Sequence, residues 1–182
     1  MLKPVTIKNF LSESDCKNII KFSLNSLTLT QAKIGMGEEK LNKRNSKVSF
    51  YDYINEFPEL KGKILKEVNN VLSIKGFEIN FSKTLQFTEY KENQFYDWHT
   101  DIDGKDSNYC SIVIQLNNDY TGGKLEIINE GESITIPSDT GNLSIFLSEN
   151  NHRVTNVESG VRYSLVTWLS LEKQKEYKKT FL

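Results

Sequence analysis

The sequence is poor in cysteine and histidine, with two of each among its 182 residues. Cys16 and Cys110 lie far apart and form no Cys-x-x-Cys pair, so neither a disulfide framework nor a cysteine zinc site is predicted. No apolar run approaches the length of about 18 residues that a membrane span needs, and the N-terminus lacks a basic segment followed by a long apolar run. We therefore expect a cytoplasmic protein with reduced thiols that is neither exported nor membrane-bound.

The chain also lacks an excess of charge of one sign. Its formal net charge is -1, with 23 basic and 24 acidic residues, so it has no strong field that would attract nucleic acid or an anionic membrane. A chain of this length can form one domain whose core buries roughly 70% of the unfolded surface. We expect a single domain over residues 1–182 that binds neither nucleic acid nor membrane, and the oligomeric state stays open.

Two segments before Gly76 have the apolar spacing of amphipathic helices. In FLSESDCKNIIKFSLNS, Ser12 is a candidate N-cap with Asp15 three residues later, which makes a weak capping box. In INEFPELKGKILKEVNNVLSIKG, an apolar stripe runs up to Gly76, which is a stop signal. The polar segment between the helices, residues 31–47, has no periodicity and predicts a loop. The members of the apolar stripe are Leu60, Ile64, Leu65, Val68 and Leu72.

After Gly76 the pattern changes to short β-rich runs separated by turn residues. At least seven such runs follow, among them INFSKTLQFTEYK, SNYCSIVIQLN, GNLSIFLS and GVRYSLVTWLSLE. Closely spaced strands with short turns are typical of an antiparallel sandwich or jelly roll. The predicted fold is therefore mainly β with flanking helices (α+β). We expect a double-stranded β-helix (jelly roll) at about residues 79–172, N-terminal helices from residues 1–78 packed on one sheet, and a charged tail at 173–182.

Both histidines belong to one pattern of metal-binding residue types. His99 and Asp101 stand two apart and face the same side if the strand continues that far, and His152 opens a later strand that can lie beside the first. Two imidazoles and one carboxylate suit Fe(II), because such a triad leaves three coordination positions open. Zinc accepts the same ligands. A lone His-x-Asp pair is usually part of a structural hydrogen bond or of an ordinary polar surface.

Arg162 favours the metal hypothesis. It lies ten residues after His152, in a strand that is otherwise apolar, where an unpaired guanidinium would be costly to bury. An arginine that points into the same cavity as a metal suits a dicarboxylate, because one end can chelate the metal while the other accepts a bidentate pair. A salt bridge to one of the many local acids is the alternative.

Several motifs occur in the order found in one known family. Tyr90, Tyr96, His99 and Asp101 lie in YKENQFYDWHTD, which is followed by GGKLEI, GNLSIF and HRVTNVESGVR. Over residues 84–170 the sequence resembles the 2-oxoglutarate and Fe(II)-dependent oxygenases, and within them the prolyl 4-hydroxylase-like branch. Because no peptide-binding domain precedes the core, we expect a compact version of microbial or viral type.

The resemblance implies the roles of the residues nearest the metal. By this likeness His99, Asp101 and His152 bind iron, and Arg162 pairs with the far carboxylate of 2-oxoglutarate. Tyr90 matches a position that hydrogen-bonds the cosubstrate. The implied cofactors are Fe(II), 2-oxoglutarate and dioxygen, with ascorbate as a candidate reductant.

A second group of matched residues implies a substrate groove. Tyr96 and Trp168 match positions near a substrate proline, and Arg44 and Ser46 match an R-x-S element that lines the groove. Tyr96, Trp168 and Phe146 are candidates for an apolar wall around the reacting atoms. Ordinary packing is the alternative for the aromatic residues, and a simple surface position is the alternative for Arg44.

The implied function is hydroxylation of a prolyl residue in a peptide or protein, with decarboxylation of 2-oxoglutarate to succinate. The same chemistry on a lysyl residue, a free amino acid or another small molecule is a second hypothesis, which a tight closed pocket would favour over an open groove beside residues 31–47. A jelly-roll module that only binds a metal such as zinc is a third hypothesis. That module would not need Arg162 or Tyr90.

Overall fold

The computed structural model describes residues 3–34, 37–52, 57–72, 77–82, 84–102 and 108–173. Gly76, the predicted helix stop, lies outside these residues, as do residues 174–182 of the predicted tail. Two helices are described, α1 (Glu13–Ser26) and α2 (Pro58–Leu72). The described strands are β1 (Val5–Ile7), β2 (Thr30–Gln31), β3 (Arg44–Asn45), β4 (Lys47–Asp52), β5 (Phe77–Phe81), β6 (Thr84–Tyr90), β7 (Phe95–His99), β8 (Cys110–Gln115), β9 (Thr121–Gly122), β10 (Leu125–Asn129), β11 (Glu132–Thr135), β12 (Leu143–Leu147), β13 (His152–Val154), β14 (Val157–Ser159) and β15 (Arg162–Lys173).

The larger sheet is antiparallel and has the strand order β1-β12-β8-β15-β6-β4-β2. The first half of β15 pairs with β6, and its second half pairs with β5. The predicted single run INFSKTLQFTEYK is therefore two strands. Val166 lies opposite Gln86 and Leu169 lies opposite Phe81. Positions 166 to 169 of β15 therefore face positions 86 to 81 of the predicted run, so the pairing is interrupted between β5 and β6.

The smaller sheet has the order β11-β10-β13-β7-β3, and β9 pairs separately with β14. Strands β2, β3 and β4 come from the part of the chain that precedes the predicted jelly-roll core. They extend both sheets, because β2 and β4 join the larger sheet and β3 joins the smaller one. The predicted loop at residues 31–47 is thus interrupted by short strands.

Each predicted helix is present. In α1 the buried residues are Cys16, Ile19 and Ser23, whereas Leu24 is exposed. The Ser12 side chain accepts a hydrogen bond from the Asp15 backbone N–H, as the capping pattern predicts. In α2 the buried residues are Leu60, Ile64 and Val68, which belong to the predicted stripe. Within the described residues, no helix is long and apolar enough to cross a membrane.

Two hydrophobic clusters lie on opposite sides of the larger sheet. One cluster joins apolar side chains of both helices to Ile112 and Ile114 of β8, and the other joins Val113 of β8 to Leu125 and Val154 of the smaller sheet. Alternate residues of β8 thus face different clusters. Both faces of β8 are therefore buried, although the strand includes the polar residues Ser111 and Gln115.

Candidate active site

The three predicted metal ligands come together at one end of the smaller sheet. His99 ends β7 and His152 begins β13, and the two residues lie directly opposite each other on these antiparallel strands. Asp101 follows β7 closely, and its carboxylate lies 3.6 Å from His99 Nε2 and 3.4 Å from His152 Nε2. One ligand atom from each residue lies within 4.8 Å of the others. The structure therefore brings the predicted triad together.

Backbone carbonyl groups orient both imidazoles. His99 Nδ1 lies 2.8 Å from the carbonyl oxygen of Asp97, and His152 Nδ1 lies 2.9 Å from that of Asn150. A carbonyl oxygen can only accept a hydrogen bond, so each Nδ1 must carry the proton. Each Nε2 is then left with a lone pair directed at the centre of the triad, as a metal ligand requires.

A β-bulge places His99 beside Tyr96. Tyr96 lies opposite Val154 and His99 lies opposite His152, so Asp97 and Trp98 together face the single residue between. In a regular strand, residues three apart would point to opposite faces. The bulge turns both Tyr96 and His99 inward, where their rings stack with centroids 3.4 Å apart and planes 13° apart.

Asp101 is held by contacts outside its own strand. The strand ends at His99, so the extended geometry on which the prediction relied stops before Asp101. Instead, the Asp101 backbone N–H donates to the Ser148 carbonyl oxygen at 2.9 Å. The Oδ2 atom accepts hydrogen bonds from Ser111 Oγ at 2.6 Å and from Trp168 Nε1 at 2.8 Å. The carboxylate position is therefore fixed from both its backbone and its side chain.

The protonation states of the triad suit a divalent cation. Burial and the neighbouring His152 lower the pKa of His99 to about 3, so its imidazole is neutral at pH 7. Burial alone would raise the pKa of Asp101, but the close approach of His152 and His99, together with the hydrogen bond that Ser111 donates, holds that pKa well below its usual range. A neutral imidazole and an ionised carboxylate are the forms that bind metals.

Arg162 is buried without a counter-ion. Its side chain is 2% exposed, and the one hydrogen bond it makes among the described residues is from NH1 to Ser164 Oγ at 3.3 Å. Its Nε atom has no partner, and its guanidinium lies 5.4 Å from the ring centroid of Tyr90. The predicted alternative, a local salt bridge, does not occur within the described part of the chain, so the charge needs an anion from elsewhere.

The predicted residues line one cavity of about 70 Å³ between the sheets. The cavity contains the triad, Arg162, Tyr90, Tyr96, Trp168 and Arg44 among its walls. Ser46 and Phe146 do not line it. Ser46 is fully buried and accepts a hydrogen bond from Arg44 Nε at 3.1 Å, and Phe146 packs edge-on against His152 with ring centroids 4.8 Å apart.

Arg44 is a buried residue that separates two cavities. It is 8% exposed, and its guanidinium lies 4.4 Å from the ring centroid of Tyr96. Together with Gln86 it also lines a second cavity of about 450 Å³. The other residues that line this cavity are Thr30, Gln31, Lys33, Glu39, Val48 and Phe50. On this second side, Phe50 is 53% exposed and Gln31 Nε2 is buried without a partner. The second cavity therefore lies beside the triad cavity, with Arg44 and Gln86 between them.

Four polar residues at the site were not predicted from the sequence. Ser111 and Ser148 act on Asp101, Ser164 hydrogen-bonds Arg162, and Gln86 lines both cavities. The one available signal was a serine or glutamine within an apolar strand, at positions that alternate with core residues. That signal does not reveal which group the polar side chain meets.

Comparison with known proteins agrees with this geometry. Residues 85–170 match the family model of the 2OG-Fe(II) oxygenase superfamily. A PKHD-type hydroxylase from Synechococcus sp. (strain CC9311) is 28% identical over 173 residues, which cover 91% of this chain and 77% of that protein. The 2-oxoglutarate and iron-dependent oxygenase domain-containing protein 3 of Xenopus tropicalis is 30% identical over 123 residues, and the match spans 61% of this chain but 39% of that relative.

A solved structure shares the fold. A prolyl hydroxylase from Trichoplax adhaerens, in complex with a peptide fragment of the oxygen degradation domain of hypoxia inducible factor, matches with a TM-score of 0.77 and 20% identity, covering 93% of this chain and 84% of that one. The fold and the arrangement of His99, Asp101 and His152 resemble those expected of an iron-dependent oxygenase. Residues 85–170 are similar to the 2-oxoglutarate and Fe(II)-dependent oxygenase superfamily, and the fold is similar to that of a solved prolyl hydroxylase.

The superfamily that the family model describes uses Fe(II), 2-oxoglutarate and dioxygen. The residues present fit these groups. Two Nε2 atoms and one carboxylate are a donor set that suits Fe(II). The unpartnered Nε of Arg162, in the same cavity, is a donor that a carboxylate can satisfy.

Proposed function

We propose that the protein hydroxylates a prolyl residue of a peptide or protein, with conversion of 2-oxoglutarate to succinate and carbon dioxide. The observation that carries the proposal is the buried, unpaired Arg162 in the same cavity as His99, Asp101 and His152. A protein that only bound zinc would need the triad but would gain nothing from an uncompensated buried cation, which is costly.

Each residue near the metal has a distinct role in the proposal. His99, Asp101 and His152 hold Fe(II), and Arg162 receives the far carboxylate of 2-oxoglutarate as a charge-assisted, bidentate pair. Tyr90, which lies opposite Arg162 on β6, donates a hydrogen bond to the cosubstrate. When bound, the iron lets dioxygen place one oxygen atom in a substrate C–H bond and the other in succinate, with ascorbate as a candidate reductant.

The residues around the metal cavity orient the substrate and exclude water. Tyr96 and Trp168 form the apolar wall nearest the substrate proline, and Phe146 supports that wall from behind His152. Burial raises the pKa of Tyr96 to about 12, against the opposing effect of Arg44, so its phenol stays protonated and can donate a hydrogen bond. Such a wall keeps the reaction away from solvent.

The second cavity supports a peptide substrate. A cavity of about 70 Å³ beside the metal leaves little room for a substrate once 2-oxoglutarate is bound, whereas the adjoining cavity of about 450 Å³ can hold the residues that flank a target proline. Arg44, fixed by Ser46, stands where the two cavities meet. The fold relative from Trichoplax adhaerens is a prolyl hydroxylase with a bound peptide.

The wider organisation is part of the same proposal. We treat residues 1–182 as one oxygenase domain in which the helices pack on the larger sheet and stiffen it behind the site. We place the protein in the cytoplasm, where iron, 2-oxoglutarate and peptide substrates are available together.

The test begins with anaerobic addition of Fe(II) and 2-oxoglutarate to the metal-free protein. The chelate has a weak visible charge-transfer band, which we expect for the wild type and not for Arg162→Ala. Arg153→Ala is the matched control, because Arg153 lies beside His152 but pairs with Glu126 at 2.7 Å. That variant should keep the band.

Oxygen and a proline-rich peptide are then added, and succinate and hydroxyproline are measured. Peptide-stimulated succinate with one hydroxyproline per succinate supports the proposal. A band without peptide stimulation would contradict the prolyl substrate and indicate a lysyl residue, a free amino acid or another small molecule. No band from folded, iron-loaded protein would contradict the cosubstrate assignment and leave a metal-binding jelly roll.

A further inference from the structure

The two oxygen atoms of the Asp101 carboxylate have different surroundings. Oδ2 accepts hydrogen bonds from Ser111 Oγ at 2.6 Å and from Trp168 Nε1 at 2.8 Å. Oδ1 receives no hydrogen bond from any described residue. It lies 3.6 Å from His99 Nε2, whereas Oδ2 lies 3.4 Å from His152 Nε2. The carboxylate therefore presents one free oxygen and one occupied oxygen to the cavity.

The two donors lie at matched positions of the larger sheet. Ser111 of β8 and Trp168 of β15 are directly opposite each other, so their side chains project from the same face. The indole N–H can only donate a hydrogen bond. Both contacts therefore stabilise the ionised form of Asp101 and fix the rotation of its carboxylate.

Ser148 completes the arrangement and sets the direction of the hydroxyl groups. Ser111 Oγ lies 2.9 Å from Ser148 Oγ, and both serines are fully buried. Ser111 gives its proton to Asp101, which has none to give when ionised, so Ser148 must donate to Ser111. The Ser148 carbonyl oxygen also accepts the Asp101 backbone N–H, so one residue supports both the ligand and its hydrogen-bond donor.

We propose that Ser111 and Trp168 are positioning residues that keep Asp101 a one-oxygen ligand of the iron, an inference that rests on the proposed function. A carboxylate that bound through both oxygens would occupy a further coordination position. The triad leaves three positions, and 2-oxoglutarate needs two of them. The hydrogen bonds to Oδ2 thus preserve the coordination position that dioxygen needs. In this proposal the N–H of Trp168 orients Asp101, whereas its ring forms part of the apolar wall.

The test uses Co(II), a visible-absorbing substitute for Fe(II) that allows binding to be measured without turnover. We expect Ser111→Ala and Trp168→Phe each to weaken Co(II) binding by about 10-fold to 100-fold and to change the d–d spectrum of the bound ion. Ser111→Thr keeps a hydroxyl and should restore both properties. In Ser111→Ala and Trp168→Phe, the charge-transfer band of the Fe(II) and 2-oxoglutarate chelate should also shift.

Two variants control for simple loss of a buried group. Ser144→Ala removes a buried hydroxyl of the neighbouring strand β12, which contacts Thr6 Oγ1 at 3.2 Å, and Trp98→Phe alters the chain's other tryptophan, which packs under Arg153. Both should keep wild-type Co(II) affinity and spectrum. Thermal unfolding of the metal-free forms identifies any variant that loses its fold. If Ser111→Ala unfolds, the Co(II) affinity and spectrum of Ser111→Thr and Trp168→Phe test the proposal.

The outcomes separate this inference from the function on which it rests. Wild-type protein that binds Co(II) and shows the Arg162-dependent band, beside folded variants with unchanged affinity and spectrum, would overturn the role of Ser111 and Trp168 alone. Wild-type protein that fails to bind Co(II) through the triad would overturn the proposed function, and the inference with it. Weakened binding with an altered spectrum, restored by Ser111→Thr, would support the inference.

Discussion

Replacement of Arg162 by methionine should stabilise the metal-free protein while removing its response to 2-oxoglutarate. Arg162 is among the largest fully buried side chains, and its charge has no counter-ion in the described structure. Methionine has a similar reach and no charge, so it fills the same space beside the cavity without the cost of desolvation.

The expected magnitude follows from two opposing effects. Exchange of buried charges for apolar side chains stabilises proteins by up to about 4 kcal/mol, whereas loss of the hydrogen bond to Ser164 Oγ costs about 1 kcal/mol. We expect the free energy of unfolding to rise by about 1–2 kcal/mol, which raises Tm by about 2–8 °C for a chain of this size.

Urea unfolding of the Co(II)-loaded protein, with and without 2-oxoglutarate, measures the second half of the prediction. At 100 times its Kd, the ligand should stabilise the wild type by about 2.7 kcal/mol and the Arg162→Met variant not at all. Arg153→Met is the control, because its ion pair with Glu126 is partly exposed and is worth about 1 kcal/mol or less. A metal-free Arg162→Met protein that unfolds more easily than the wild type would refute the reasoning.

Three further predictions concern other parts of the molecule. Gly123→Ala should weaken 2-oxoglutarate binding more than Co(II) binding. Gly123 has φ +54°, and an added Cβ would lie 3.2 Å from Arg162 Cδ. Equal loss of both affinities would contradict this prediction. Arg44→Ala should raise KM for the peptide while the 2-oxoglutarate band stays unchanged, since Arg44 stands between the two cavities; an altered band would place Arg44 at the cosubstrate instead. Burial raises the pKa of Cys16 to about 11 and of Cys110 to about 12. A thiolate-specific reagent at pH 8 should therefore label neither thiol in the folded protein and both thiols in urea. Labelling of the folded protein would be inconsistent with this burial.

Local patterns in the sequence were sufficient for the helices and for the identity of the triad. The N-cap at Ser12 depends on residues within one helical turn, and the stripe of α2 repeats at helical spacing, so both can be read without knowledge of the fold. The chain contains two histidines, which left few ways to assemble a His-Asp-His site. The family resemblance then supplied the role of Arg162, which stays a prediction, and the family model matches residues 85–170.

Features that depend on pairing between strands could not be predicted in the same way. Strands β2 and β3 have two residues each, which is too short for an alternation of apolar and polar residues. The bulge at Asp97 and Trp98 exists because β13 runs alongside in a shifted register. In the sequence, Ser111 cannot be distinguished from any other polar residue of a strand. Its hydrogen bond to Asp101 forms only in the folded chain.

The contacts that orient the three predicted metal ligands differ in whether a substitution would remove them. Each imidazole is oriented by a main-chain oxygen, of Asp97 or of Asn150, and every amino acid carries that atom. These two positions can therefore vary during evolution or engineering while the histidines keep their tautomer, provided that the local chain path is kept. Asp101 relies on side-chain groups, so among close relatives of this protein, the carboxylate ligand and its hydrogen-bond donors should change together or not at all.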